Sequence, residues 1–334
     1  MTMGNRITEI LNIEKPIIQG PLLWLTDAKL VAAVSNAGGM GMLGFNAGQT
    51  AVTKSIDETI ERMRQEIEKT KKLTDKPFGI NFGPTGTDND PFSEPMLKLI
   101  IEEKIPAVTY VGPIVPELFK KLKDNNIKII YRYITPTIEN AKEAEKNGAD
   151  IIVATGFDEG GTVPERVIGT FSIVPMIVDA VDHTPVMAAG GITDERTAKA
   201  AFALGAEGVY VGTAFLASEE SRMADNIKRQ MPDINAEDVL MYRSVPAYYR
   251  SIPGELPNKL VEMDKAGKSN EDIFNASNRY EGMRLGMLEG DLSKGYASFG
   301  LGISNIHAIE SVKTIVDRLN EGIEEAERSD KELI

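Results

Sequence analysis

Pro185-Val186-Met187-Ala188-Ala189-Gly190-Gly191-Ile192 and, one helix later, Gly208-Val209-Tyr210-Val211-Gly212-Thr213 decide the fold. Each is a short apolar run ending in glycine, the form taken where a buried parallel strand hands over to a ligand-facing loop. Between them Thr193-Asp194-Glu195-Arg196 opens a helix with apolar positions at Ala198, Ala201, Phe202 and Leu204, and Gly205 closes it. The unit reads strand, glycine loop, helix, strand. Backbone N–H groups at Gly190, Gly191, Gly212 and Thr213 would converge at the carboxyl ends of two neighbouring strands, where a phosphate monoester fits. Such glycines also make tight turns without a ligand, but two such loops in succession favour phosphate.

The same alternation extends toward the N-terminus. Pro16-Ile17-Ile18-Gln19-Gly20 predicts a first strand, followed by Pro21, the single tryptophan Trp24 and a small-residue helix from Asp27 to Asn36. Gly39 to Gly44 predicts a second strand, Gln49 to Lys72 a long helix with a charged, solvated face, and Phe78 to Phe82 a third strand ending in the turn-rich loop from Gly83 to Asp90. Ala107–Val111, Ile127–Tyr131 and Asp150–Ala154 predict three more. With the opening unit this makes eight strands alternating with helices, the number a closed (β/α)8 barrel requires, and the regular spacing favours that barrel over an open doubly wound sheet.

After Thr213 the periodicity breaks. Residues 219–291 carry Pro232, Pro246, Pro253 and Pro257 among tyrosines and many charges, which predicts a mostly helical cap inserted after strand eight. Residues 1–218 and 292–334 would then form the TIM barrel, with a last helix from Asn305 to about Glu327 and a fraying charged end. Such a barrel takes about 250 residues, so 334 residues accommodate barrel plus insertion.

Composition removes several alternatives. The absence of cysteine excludes disulfides, thiolate nucleophiles and cysteine-held iron–sulfur clusters, and no metal site is expected. A net charge of −13 argues against nucleic acid or anionic lipid as the main partner. No apolar run long enough to span a membrane or to serve as a leader follows Met1, so the expectation is a cytoplasmic protein acting on a small molecule, with a homodimer compatible.

Six glycine-rich stretches carry a family resemblance: Pro16-Ile17-Ile18-Gln19-Gly20-Pro21, Ala37-Gly38-Gly39-Met40-Gly41, Gly79-Ile80-Asn81, Gly156-Phe157-Asp158-Glu159-Gly160-Gly161, Ala189-Gly190-Gly191-Ile192, and Gly208 to Phe215. In this order they resemble the flavin-binding loops of the nitronate monooxygenase family, which includes FMN-dependent enoyl-acyl carrier protein reductases and some NADH:quinone reductases. The resemblance implies a TIM barrel holding non-covalent FMN at its carboxyl face, the phosphate on Gly190, Gly191, Gly212 and Thr213. It further implies that Gln19, Gly20, Pro21, Asn81, Gly160 and Gly161 lie around the cofactor, and that Arg250 in Tyr248-Tyr249-Arg250 matches the arginine of the cap, with Tyr248 beside it.

Two departures bear on chemistry. Where many members carry a histidine directly after the Gly-Gly pair, this chain has Thr162, and where relatives often have Gly-Gln it has Gly300-Leu301. The histidine is associated in the monooxygenases with proton abstraction from neutral nitroalkanes; a preformed nitronate needs no such step, so Thr162 favours the anion as substrate. The chain's two histidines, His183 before strand seven and His307 in the last helix, are expected to be structural. Thr162 and Asp158 are the candidate catalytic residues; Asp158 and Glu159 lie on the same loop, and the sequence predicts both to be solvated, with carboxyl pKa values of about 4, poorly matched to neutral pH. The favoured reading is an FMN-dependent oxidation of alkyl nitronates by O2. The alternatives are an NAD(P)H-dependent FMN reductase of an enoyl thioester or quinone, and an FMN-binding barrel that has lost its chemistry.

Overall fold

The computed structural model describes residues 5–332. Strands β1 (Ile17–Gln19), β2 (Met40–Leu43), β3 (Phe78–Phe82), β4 (Ala107–Tyr110), β5 (Lys128–Tyr131) and β6 (Ile151–Thr155) follow one another round a closed parallel barrel. A two-residue strand, β7 (Thr162–Val163), lies outside it, and β8 (Val186–Ala189) and β9 (Gly208–Val211) complete the ring by pairing β9 with β1. The eight expected barrel strands are all present, and the fold is a (β/α)8 barrel.

Alternation along these strands sorts side chains to two sides. Ile18, Met40, Met42, Ala107, Ile130 and Met187 fill the lumen, while Ile17, Leu43, Ile80, Val108, Ile129 and Val209 turn outward under the helices. Ile7 and Leu11 of the helix Arg6–Leu11 join the lumen cluster. The same alternation carried one step toward the carboxyl ends puts Asn81, Thr109, Arg132 and Thr155 on the lumen side. The barrel is therefore dry below and polar at its mouth.

Two helix boundaries differ from expectation. The long helix spans Ile56–Leu73 instead of beginning at Gln49, since Ser55 accepts a hydrogen bond from the Glu58 N–H. The last helix runs Val312–Glu332, preceded by a 3-10 turn over Leu301–Asn305. His307 lies in the loop between them, exposed, not in the helix as expected. The expected fraying concerns a tail whose side chains from residue 330 onward lie outside the described ones.

The insertion after β9 is helical in Glu255–Lys265 and Asn270–Ala276 but also carries an unexpected hairpin, β10 (Leu240–Arg243) and β11 (Tyr248–Ser251). β11 pairs antiparallel with β7, Tyr249 opposite Thr162 and Tyr248 opposite Val163. Tyr242, Tyr249, Leu260 and Ile273 of the insertion share one apolar cluster with Trp24 and Leu25 of the loop after β1 and with Tyr296, Phe299 and Ile303 beyond residue 291. The cap is thus fastened to the barrel through apolar packing and through a three-stranded sheet whose third strand belongs to the loop after β6.

Candidate active site

The carboxyl ends of β8 and β9 build one half of the site. Gly190 and Gly191 take φ of +97° and +74°, the left-handed region open to glycine, which turns the chain sharply out of β8. Among the described residues the backbone N–H groups of Gly190, Gly191, Ile192, Gly212 and Thr213 meet no protein acceptor. The Thr213 hydroxyl accepts from the Gly300 N–H at 2.9 Å, which leaves its own proton available to a ligand. Ile192 is buried and the other four are half-buried, and a cluster of backbone donors open to a ligand suits an anion with several acceptor oxygens, as a phosphate monoester has.

Residues 300–302 knit the loops together. The Leu301 N–H donates to the Asp158 carbonyl at 2.8 Å, and the Thr193 hydroxyl to the Gly302 carbonyl at 3.0 Å. Loops after β6, β8 and β9 are thereby held in one arrangement by a strap that the Gly300-Leu301 departure only hinted at.

The polar layer of the lumen forms the other half. Asn81 Oδ1, Thr155 Oγ1 and Glu159 Oε1 are buried without a hydrogen-bond partner. Asn81 lies near the end of β3, Thr155 ends β6 and Glu159 follows it, with β4 and β5 between the two strands, and buried acceptors left unpaired call for a ligand that donates. Tyr210 spans the lumen from β9, its hydroxyl 3.4 Å from the Thr109 hydroxyl, and its ring lies over Gly20, where a Cβ would come within 2.6 Å of the ring edge. Burial pushes the Tyr210 phenol up to about 12.

Glu159 reverses its expected solvated state. Its side chain is only 11% exposed and pairs with Arg132, itself 17% exposed at the end of β5. Burial drives the carboxyl up to about 7 against the downward pull of Arg132 and Arg250. From the cap, Arg250 donates to the Glu159 carbonyl at 2.5 Å and stacks on Phe157 at 4.7 Å, while Tyr248 packs edge-on against the same ring. Arg250 is 2% exposed, so it fastens the loop after β6 and does not project into solvent.

The two expected catalytic residues are spoken for. The Thr162 hydroxyl bonds the Tyr249 hydroxyl at 2.7 Å, and an Asp158 carboxylate oxygen accepts the Thr170 N–H at 2.6 Å, capping the helix Thr170–Val178 whose own N-cap is Gly169. Gln19, completely buried, spends its amide on the backbone: Oε1 accepts from the Met42 N–H at 3.1 Å, and Nε2 donates to the Met42 and Gly20 carbonyls. Gly160 packs against Phe299 and Gly300, and the Gly161 N–H donates to the Ser298 hydroxyl at 2.8 Å. His183 is exposed, at the amino end of β8. Sequence reasoning missed Arg132, Thr109, Thr155 and Tyr210. Their signal was a polar or aromatic residue on the inward beat of an apolar strand.

Comparison with known proteins adds the family. The nitronate monooxygenase family model matches residues 4–322. A (3aS,4S,5R,7aS)-5-hydroxy-7a-methyl-1-oxo-octahydro-1H-indene-4-carboxyl-CoA dehydrogenase of Rhodococcus jostii is 34% identical, over 78% of this chain and 68% of its own. A probable nitronate monooxygenase of Staphylococcus saprophyticus is 33% identical, over 79% of this chain and 82% of its own. The structure of FabK from Thermotoga maritima superposes with a TM-score of 0.83 at 31% identity over the whole of both chains. A nitroalkane oxidase of Streptomyces ansochromogenes shares the fold, with a TM-score of 0.78 at 23% identity over 97% of this chain and 99% of its own. Among the described residues no helix is long and apolar enough to cross a membrane. With its glycine cradle, its polar barrel mouth and a family match over nearly its whole length, the chain belongs to the nitronate monooxygenase family of flavoprotein oxidoreductases.

Proposed function

We propose that this protein binds FMN and oxidises alkyl nitronates with O2. The observation that carries the reading is the set of unpaired N–H groups at Gly190, Gly191, Ile192, Gly212 and Thr213, together with unpaired buried acceptors at Asn81 and Thr155 on the lumen side of the barrel. The first fits a terminal phosphate, and the second fits the polar edge of a flat ring that donates as well as accepts. When bound, FMN supplies the electron acceptor for the organic substrate. This chain's residues would bind and orient: the two glycine loops would hold the phosphate, Gly20 and Pro21 would border the ring, and Arg132 would offer a positive charge to an anionic substrate. Tyr248 and Arg250 brace the loop after β6, and the cap limits the entry of water.

A second reading is an NAD(P)H-dependent reduction of an enoyl thioester or quinone, supported by the similarity to FabK over the whole of both chains. A cradle for a monoester, with no site argued for an adenylate, favours FMN over FAD. Chromophore released by heat and separated by chromatography is expected to be FMN, and the yellow protein is expected to consume O2 on addition of ethylnitronate. Recovery of FAD, or of no flavin after incubation with excess FMN, contradicts the cofactor assignment. Oxygen uptake with NADH and none with nitronate favours the reductase.

A further inference from the structure

We propose that Glu159, three residues before the position where relatives often carry histidine, is the general base that removes the α-proton of neutral nitroalkanes in this protein, so that its substrates extend beyond preformed nitronates. The proposal rests on the nitronate reading above and is carried by position. Glu159 is fixed on both sides: its N–H donates to the Gly156 carbonyl at 3.2 Å, and its carbonyl accepts from Arg250. Its neighbour Asp158 is held by the Leu301 N–H and by the Thr170 N–H. The carboxylate turns to the lumen, where Oε2 pairs with Arg132 and Oε1 has no partner. The other acid–base groups of the mouth are committed: Asp158 caps a helix, Thr162 is bonded to Tyr249, and Tyr210 carries a phenol raised by burial. His183 lies at the amino end of β8, and His307 is exposed in the loop before the last helix.

In the step, the Cα–H bond of the nitroalkane breaks, its proton passes to Glu159, and its electron pair moves into the C–N bond and onto the nitro oxygens, giving the nitronate anion and a neutral carboxylic acid. No oxidant is consumed in this step. Arg132, released from its carboxylate partner, then faces the new anion. The charged and titratable groups facing Glu159 are Arg132 from the end of β5, Arg250 from β11 and Tyr210 from β9, with Asp158 on its own loop acting on Arg250. A base that titrates near the working pH is well matched to taking a proton from carbon.

The test compares anaerobic flavin reduction of the holoenzyme by freshly dissolved nitroethane and by preformed ethylnitronate, in the parent and in Glu159→Gln. The ratio of the nitroethane rate to the nitronate rate should fall about 10²- to 10⁴-fold in the variant. In the parent that ratio should rise with pH through a value near 7, and in the variant this limb should vanish. Infrared difference spectra of the protein titrated without substrate supply a second readout: a protonated-carboxyl band that disappears as the pH rises through neutrality, present in the parent and missing in Glu159→Gln. An unchanged ratio, or an equal fall in both rates, overturns the proposal, as does a parent lacking the infrared band. Failure of nitronate itself to reduce the parent flavin is a different result, which removes the reading on which the proposal rests.

Discussion

Gly212→Val is expected to strip the phosphate contribution from FMN binding while leaving the barrel folded. Gly212 has φ of −117°, outside the left-handed region that favours glycine, and a Cβ there would meet only the Leu22 Cδ2, at the ordinary distance of 3.4 Å. Gly190 offers no such clean test: at φ +97° a Cβ would lie 2.9 Å from both the Gly156 carbonyl oxygen and the Thr170 hydroxyl, so substitution would strain the loop whether or not it holds a phosphate. Losing one or two charge-assisted hydrogen bonds, at about 1.5–3 kcal/mol each, lowers affinity roughly 10- to 10⁴-fold. Riboflavin, which has no phosphate, is the internal control. Titration by fluorescence should show FMN affinity falling toward that of riboflavin in Gly212→Val, with riboflavin affinity little changed. Equal losses for the two ligands would place the phosphate elsewhere.

Arg132→Met should destabilise the fold strongly at alkaline pH and little at acid pH. In the parent the Glu159 carboxyl is raised from 4.5 to about 7, chiefly by burial. The folded state therefore holds a proton that the unfolded state has released, and between these values Glu159 makes stability fall as pH rises, by at most about 1.4 kcal/mol per unit. Removing Arg132 takes away the group that favours the ionised form, so the carboxyl rises further and the falling limb extends to higher pH. Above that range a buried, unpaired carboxylate costs on the order of 3–5 kcal/mol. At pH 5 the carboxyl is neutral in both proteins, and the variant loses only an arginine whose own burial was costly. Urea unfolding at pH 5 and pH 8.5 should show a difference between parent and variant that grows with pH, and a difference independent of pH would mean that the two side chains are not electrostatically coupled.

The barrel was legible because its signals are local. Each strand is an apolar run ending in a turn former, and Asp194 and Gly205 punctuate the helix between β8 and β9 where the sequence says they should. The glycine turns proposed to hold the phosphate were legible for the same reason, since consecutive glycines announce a backbone-lined turn. The catalytic half was not. Asp158 and Glu159 are adjacent carboxylates in one loop, and the sequence treats them alike. Their fates separate only when tertiary structure delivers the Thr170 N–H to one and Arg132, from a different strand, to the other. Thr162 was read against the histidine of relatives, but its partner Tyr249 comes from a hairpin in the insertion, where prolines and charges had pointed to helix. That hairpin forms because β7 offers it an edge, a pairing between segments far apart in sequence.

Mixing the FMN-loaded protein with preformed ethylnitronate in the absence of oxygen, while the flavin absorbance is followed, separates nitronate oxidation from reductase chemistry. Rapid bleaching by nitronate, reversed when air is admitted, is the predicted result. No bleaching by nitronate together with rapid bleaching by NADH would contradict it and move the protein to the reductases of its family.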